Sequence, residues 1–103
     1  MSNKEIKVLY VSLPYTGHED TFPTRCEAAK KKYHKEGCRV ITPADVIKDS
    51  ATPYSQCIGK CIEVLLECDE VVFLSGWYDS KGCNLEHSAC QIYNIPYFID
   101  AKI

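Results

Sequence analysis

Four short apolar runs divide the chain, and the stretches between them carry apolar residues at helical spacing. Ile6 to Leu13 (IKVLYVSL) is nearly continuous in apolar, β-branched and aromatic residues. A central parallel strand needs such a run, because both of its faces are covered. Cys38 to Thr42 (CRVIT), Glu70 to Leu74 and Pro96 to Ile99 (PYFI) give three more strands. After the first strand, Phe22, Cys26, Ala29 and Tyr33 fall on one face of a helix that reaches about Glu36 and stops at Gly37. A second helix begins near Tyr54 or Ser55 and runs to Glu67, with Ile58, Ile62, Leu65 and Leu66 as its core stripe. A third runs from Lys81 to about Tyr93, burying Leu85, Ala89 and Ile92, and Asn94 closes it.

Breakers fix the connections. Pro14, Thr16 and Gly17 end the first strand. Asp20 or Thr21 is placed to cap the first helix, with Pro23 tolerated in its first turn. Pro43 to Pro53 reads as a long irregular connection, of a length that often carries function. Asp79, Ser80, Lys81 and Gly82 are turn and helix-start residues, Ser80 as N-cap and Gly82 allowing close backbone approach. Alternating strands and helices imply a parallel sheet with right-handed crossovers and helices on both faces. Strand order 2-1-3-4 follows if the first and third strands flank the switch point. The expected fold is a flavodoxin- or Rossmann-like three-layer α/β sandwich with a four-stranded sheet. The loops after those two strands, residues 14–20 and 75–81, then face each other across one crevice, where such sheets bind ligands.

At 103 residues the expectation is one domain, 1–103, with a modest core. A net charge of −2 argues against a nucleic-acid polymer or an anionic membrane as partner. The basic cluster of Lys30, Lys31, Lys32 and Lys35 is more simply a solvated helix face. No apolar run approaches the roughly 20 residues of a membrane span, and Met1 to Glu5 lead straight into a strand without a signal-peptide pattern. The expected setting is the cytoplasm, where seven cysteines read as reduced, mostly buried thiols. Cys83, His87 and Cys90 share a helix face at i, i+4 and i+7, but a fourth ligand is missing and the chain has no C-x-x-C pair. No metal and no cofactor are assigned.

Two segments carry a sharper pattern. Tyr10 to Asp20, Y-V-S-L-P-Y-T-G-H-E-D, resembles the phosphate-and-sugar loop of the nucleoside 2-deoxyribosyltransferase superfamily. Gly76 to Ala89, G-W-Y-D-S-K-G-C-N-L-E-H-S-A, is similar to its nucleophile segment. Thr42-Pro43-Ala44 and Glu67-Cys68-Asp69 fit small bacterial and phage members, so the similarity covers nearly the whole chain. The GW…S-x-G…E-H segment is the specific part. The resemblance implies cleavage or transfer of the N-glycosidic bond of 2-deoxynucleosides or their 5′-monophosphates. It makes Glu86 the carboxylate that attacks the anomeric carbon, forming a glycosyl-enzyme intermediate. It gives Asp79 the task of orienting the sugar or the nucleophile. Ser80, at a helix N-terminus that favours phosphate, tilts the ligand towards a nucleotide. Ser12, Tyr15, Gly17, Trp77 and Gly82 complete the binding set, Trp77 and Tyr15 against the base and the amides near Gly17 at the sugar or phosphate. The implied partner is a small-molecule nucleotide or nucleoside, and the implied assembly a homodimer or larger homo-oligomer.

The chain departs from that pattern in places. Characterised relatives place an Asp eight residues before the Asp that precedes the third strand, and here that position is Cys61. Leu13 stands where Gly is usual, and the chain carries four strands where larger members have five. The alternative is therefore a nucleotide-binding or sensing module without turnover, unless Asp45 or Asp49 moves in as the second carboxylate. Blander roles stand beside the sharper ones. By position alone Glu86 is an ordinary exposed helix residue, a reading the motif around it reverses; Trp77 and Tyr15 read equally as covers for apolar surface, and Cys61 as a small hydrophobe packed on Ile58 and Leu65. His87 is expected to make a structural hydrogen bond, and His18 to sit idle on the surface.

Overall fold

The apolar runs become β1 (Val8–Ser12), β2 (Arg39–Ile41), β3 (Glu70–Leu74) and β4 (Tyr97–Asp100). All pair in parallel, in the order β2-β1-β3-β4. The helices are α1 (Phe22–Lys35), α2 (Pro43–Val46), α3 (Tyr54–Leu65) and α4 (Lys81–Ile92). This computed structural model describes residues 6–103, and the expectation for Met1 to Glu5 lies outside them.

The strand period of two sorts β1 and β3 between two cores. Leu9, Val11, Val72 and Leu74 face α1, which covers them with Phe22, Cys26, Ala29 and Tyr33. Tyr10, Val71 and Phe73 face the other way, against Cys61 and Leu65 of α3 and Ala89 and Cys90 of α4. The fold is thus the expected three-layer α/β sandwich. Left-handed residues end two helices where the sequence places the stops, Gly37 after α1 (φ +89°) and Asn94 after α4 (φ +57°). Arg25 of α1 ties the layers beside the site, donating to the Ser75 carbonyl at 2.6 Å and the Ile103 carbonyl at 3.1 Å.

Four local expectations need correction. Residues 43–46 are helical rather than irregular. The Thr42 amide donates to Asp45 Oδ2 at 2.9 Å, and Pro43 starts the turn, so the segment carries its own capping box. The Thr21 hydroxyl does not cap α1 but turns back to the His18 carbonyl at 3.3 Å. In α3 the buried stripe centres on Cys61 and Leu65, while Leu66 is exposed, because only that face meets Tyr10 and Val71. In α4 the buried set is Cys83, Glu86, Ala89 and Cys90. Leu85 and Ile92, read as core, are 49% and 70% exposed. The helix is rotated because Glu86 finds hydrogen-bond donors inside.

Candidate functional site

Those donors come from β1. Tyr10 and Ser12 lie two apart, hence on the same face of the strand, and that face looks at α4. The Tyr10 hydroxyl donates to Glu86 Oε2 at 2.9 Å, and the Ser12 hydroxyl donates to Oε1 at 2.6 Å. Glu86 is 5% exposed. Burial disfavours its charged form and pushes its pKa from 4.5 up to about 7, although the bonds from Ser12 and Tyr10 pull the other way. Burial, followed by the Glu86 charge, raises the Tyr10 pKa, so the phenol keeps the proton it donates. The result is a carboxylate fixed through both oxygens that gains and loses its proton near neutrality.

The loop before α4 sets its start. Gly76 has φ +88°, a conformation only glycine adopts freely, and residues Trp77–Asp79 make a single 3-10 turn. Ser80 caps α4, its hydroxyl accepting from the Cys83 amide at 3.2 Å. A cavity of about 790 Å³ opens here, at the carboxyl ends of the strands. Its wall comes from the β1–α1 loop (Leu13, Tyr15, Thr16), from α2 and the segment after it (Pro43 to Thr52), and from the first turns of α3 and α4. Glu86, Cys61 and Cys83 are buried residues of that wall and form its floor. Lys48 and Lys81 bring two cations. A wider groove of about 1270 Å³ runs along β2, but none of its lining residues is buried.

Residues 7–97 match the family described as Domain of unknown function (DUF4406). The chain belongs to that family. No curated protein matches it. The DUF4406 match spans everything from the residue before β1 to the first residue of β4, so the whole cavity wall lies within the family's region.

Within the DUF4406 domain the residues singled out from the sequence separate into groups. Glu86, Asp79, Ser80, Tyr15 and Gly82 line the cavity. Asp79 is exposed on the 3-10 turn, and Glu86 takes its hydrogen bonds from Tyr10 and Ser12, not from Asp79. Ser12 lies behind the carboxylate, fully buried, and holds Glu86 rather than a ligand. Gly82 does permit a close approach, but of α3: a Cβ there would lie 3.1 Å from Ile58 Cδ1. Gly17 takes φ +83° in the turn closed by the His18 amide and Tyr15 carbonyl, outside the cavity wall. Trp77 is also outside it. Its ring packs 4.7 Å from His87 and 5.3 Å from Phe73. His87 is held by those rings and Tyr97 rather than by the expected hydrogen bond.

Cys61 packs with Tyr10 and Leu65 and reaches the cavity; burial pushes its thiol up to about 11. The two carboxylates considered as its replacement are placed differently. Asp45 points to Lys30, at 2.8 Å, and to Thr42. Asp49 lines the cavity, but its Oδ1 accepts from the Ala51 amide at 2.9 Å. Sequence reasoning missed Tyr10, Lys48, Tyr54, Lys81 and Cys83. The signal for Tyr10 was present, two residues before Ser12 on a strand. All seven cysteines are free thiols. Among the described residues no group of three or more His, Cys, Asp or Glu could hold a metal ion. Among them, too, no helix is long and apolar enough to cross a membrane.

Proposed function

We propose that this protein is related to the nucleoside 2-deoxyribosyltransferases and cleaves, or transfers, the N-glycosidic bond of a 2-deoxynucleoside 5′-monophosphate or deoxynucleoside. The observation that carries this reading is Glu86: a carboxylate at the floor of a cavity, fixed by two hydroxyl donors. Two donors leave the ionised group one orientation and little freedom to lose on reaction. In the forward step a Glu86 oxygen bonds to the anomeric carbon, and the carbon–nitrogen bond breaks with its electron pair leaving on the base. The base then takes a proton from water. In the second step water, or an acceptor base, attacks the same carbon and frees the carboxylate. Ser80 and the start of α4, with Lys81 and Lys48 in the wall, favour an anionic group at that end of the ligand.

One observation favours a second reading. The thiol at position 61, with its pKa near 11, is neutral at physiological pH and supplies no negative charge beside the sugar. A binding or sensing module without turnover fits that site. Free thiols suit a cytoplasmic setting. The outward face of α4, with Leu85, Ile92 and Tyr93 exposed, suits a homodimer or larger homo-oligomer. Incubating the protein with each common deoxynucleoside and its 5′-monophosphate, and following free base by chromatography, tests the assignment. Released base supports the glycosidase; ligand-induced thermal stabilisation without base moves the assignment to the binding module; neither response rejects both.

A further inference from the structure

We propose that the ligand's planar ring stacks on Tyr15 and Tyr54, and that the site accepts such rings with little selection by their edges. This deepens the nucleotide reading of the same cavity and rests on it for the choice of ligand. The two tyrosines belong to different elements and line the same wall. They are 51% and 60% exposed, so both rings are open to a partner entering the cavity. Tyr15 is already held, edge to face with Phe22 at 4.9 Å, so little freedom is lost when a second ring packs on it. Tyr54 opens α3 behind Pro53. A Cβ at Gly82 would lie 3.8 Å from its hydroxyl, so the Tyr54 side chain reaches the first turn of α4 and spans the gap between the two helix starts. Pro43, Ala44 and Ile47 continue the apolar wall. Trp77, the other aromatic candidate, is committed to Phe73 and His87.

Beside Tyr54, three polar groups of the wall are turned to their own segment. The Asp49 carboxylate accepts from the Ala51 amide at 2.9 Å, and the Thr52 hydroxyl donates to the Asp49 carbonyl at 2.7 Å. The Cys57 thiol donates to the Thr52 carbonyl at 3.5 Å. A base edge lying over Tyr54 therefore finds these three groups already engaged. Every base has a π-face, and stacking is correspondingly tolerant of sequence.

The test is calorimetric binding of the four common deoxynucleoside monophosphates and of 2-deoxyribose 5-phosphate, which has no ring. It is made in the Glu86→Gln background so that no nucleotide is consumed. Tyr54→Ala and Tyr15→Ala are each expected to weaken all four nucleotides by about tenfold to a hundredfold, the range of base–aromatic stacking. Tyr54→Phe keeps the parent affinity, and the sugar phosphate is unaffected throughout. The four nucleotides fall within about tenfold of one another, since stacking alone separates them weakly. Unchanged nucleotide affinity in Tyr54→Ala, a loss in Tyr54→Phe, an equal loss for the sugar phosphate, or no binding at all overturns the proposal. So does one nucleotide binding more than about a hundredfold tighter than the rest, a gap that needs hydrogen-bonded edges. Ring-dependent binding with no free base from the wild type leaves the stacking site standing and removes the glycosidase. Free base with a KM indifferent to both tyrosines does the reverse.

Discussion

Glu86 carries two demands that oppose each other. Burial makes its charge unfavourable, and the proposed chemistry requires that charge. With a folded pKa of about 7 against 4.5 for an exposed glutamate, the folded protein binds the extra proton more tightly than the unfolded chain. Stability from this group is therefore complete below pH 4.5 and is lost as the pH rises towards 7. Glu86→Gln has no such loss. The variant is expected to match the wild type in acid and to exceed it by about 3 kcal/mol near pH 8, the equivalent of the shift. Urea unfolding of both proteins across that range checks it, and parallel curves refute it. In the proposed reaction the same titration governs rate. Below pH 7 kcat/KM should rise about tenfold per pH unit as Glu86 ionises. Tyr10→Phe removes the donor to Oε2, so the carboxylate is harder to ionise. Its profile should move up by about one pH unit, as expected for a hydrogen bond to a charged group.

At the scale of elements, the four strands and their order were legible because each is a short apolar run between breakers. The faces of the helices were less so. Leu85 and Ile92 look like core by hydropathy, and Glu86 does not. The helix turns Glu86 inward because Tyr10 and Ser12, more than seventy residues earlier, donate to it. No local pattern contains that pairing. The helix at Pro43–Val46 was legible in principle, since Thr42-Pro43-Ala44-Asp45 carries a cap, a first-turn proline and a carboxylate at the third position. It was hidden by its length of one turn. That turn presents Pro43 and Ala44 to the cavity, so its cap bears on the shape of the wall. Asp45→Ala should cost about 1 kcal/mol, the usual penalty for a lost cap. It should also raise hydrogen exchange across residues 43–52 while leaving β1 and β3 protected. Uniform loss of protection would show that α2 is not a separate unit.

For the whole molecule, one layer of the sandwich is mostly scaffold and the other supplies most of the cavity wall. α1 fills its face of the sheet, and Arg25 fastens that layer to the Ser75 carbonyl at the head of the α4 loop. The opposite layer leaves Leu85 and Ile92 outside. Sedimentation equilibrium should find a dimer or larger for the wild type and a monomer for Leu85→Lys with Ile92→Glu, each with an unchanged circular dichroism spectrum. A monomeric wild type contradicts the assembly proposed for that face. The cavity between the strand ends supports one central claim, that Glu86 is the nucleophile. The most direct measurement is the rate of free-base release from deoxynucleoside 5′-monophosphates by the wild type and by Glu86→Ala, with and without added formate. The account predicts release by the wild type, a loss of at least about a thousandfold in the variant, and partial recovery when formate replaces the missing carboxylate. Equal rates in the two proteins, or no base from either, would contradict it.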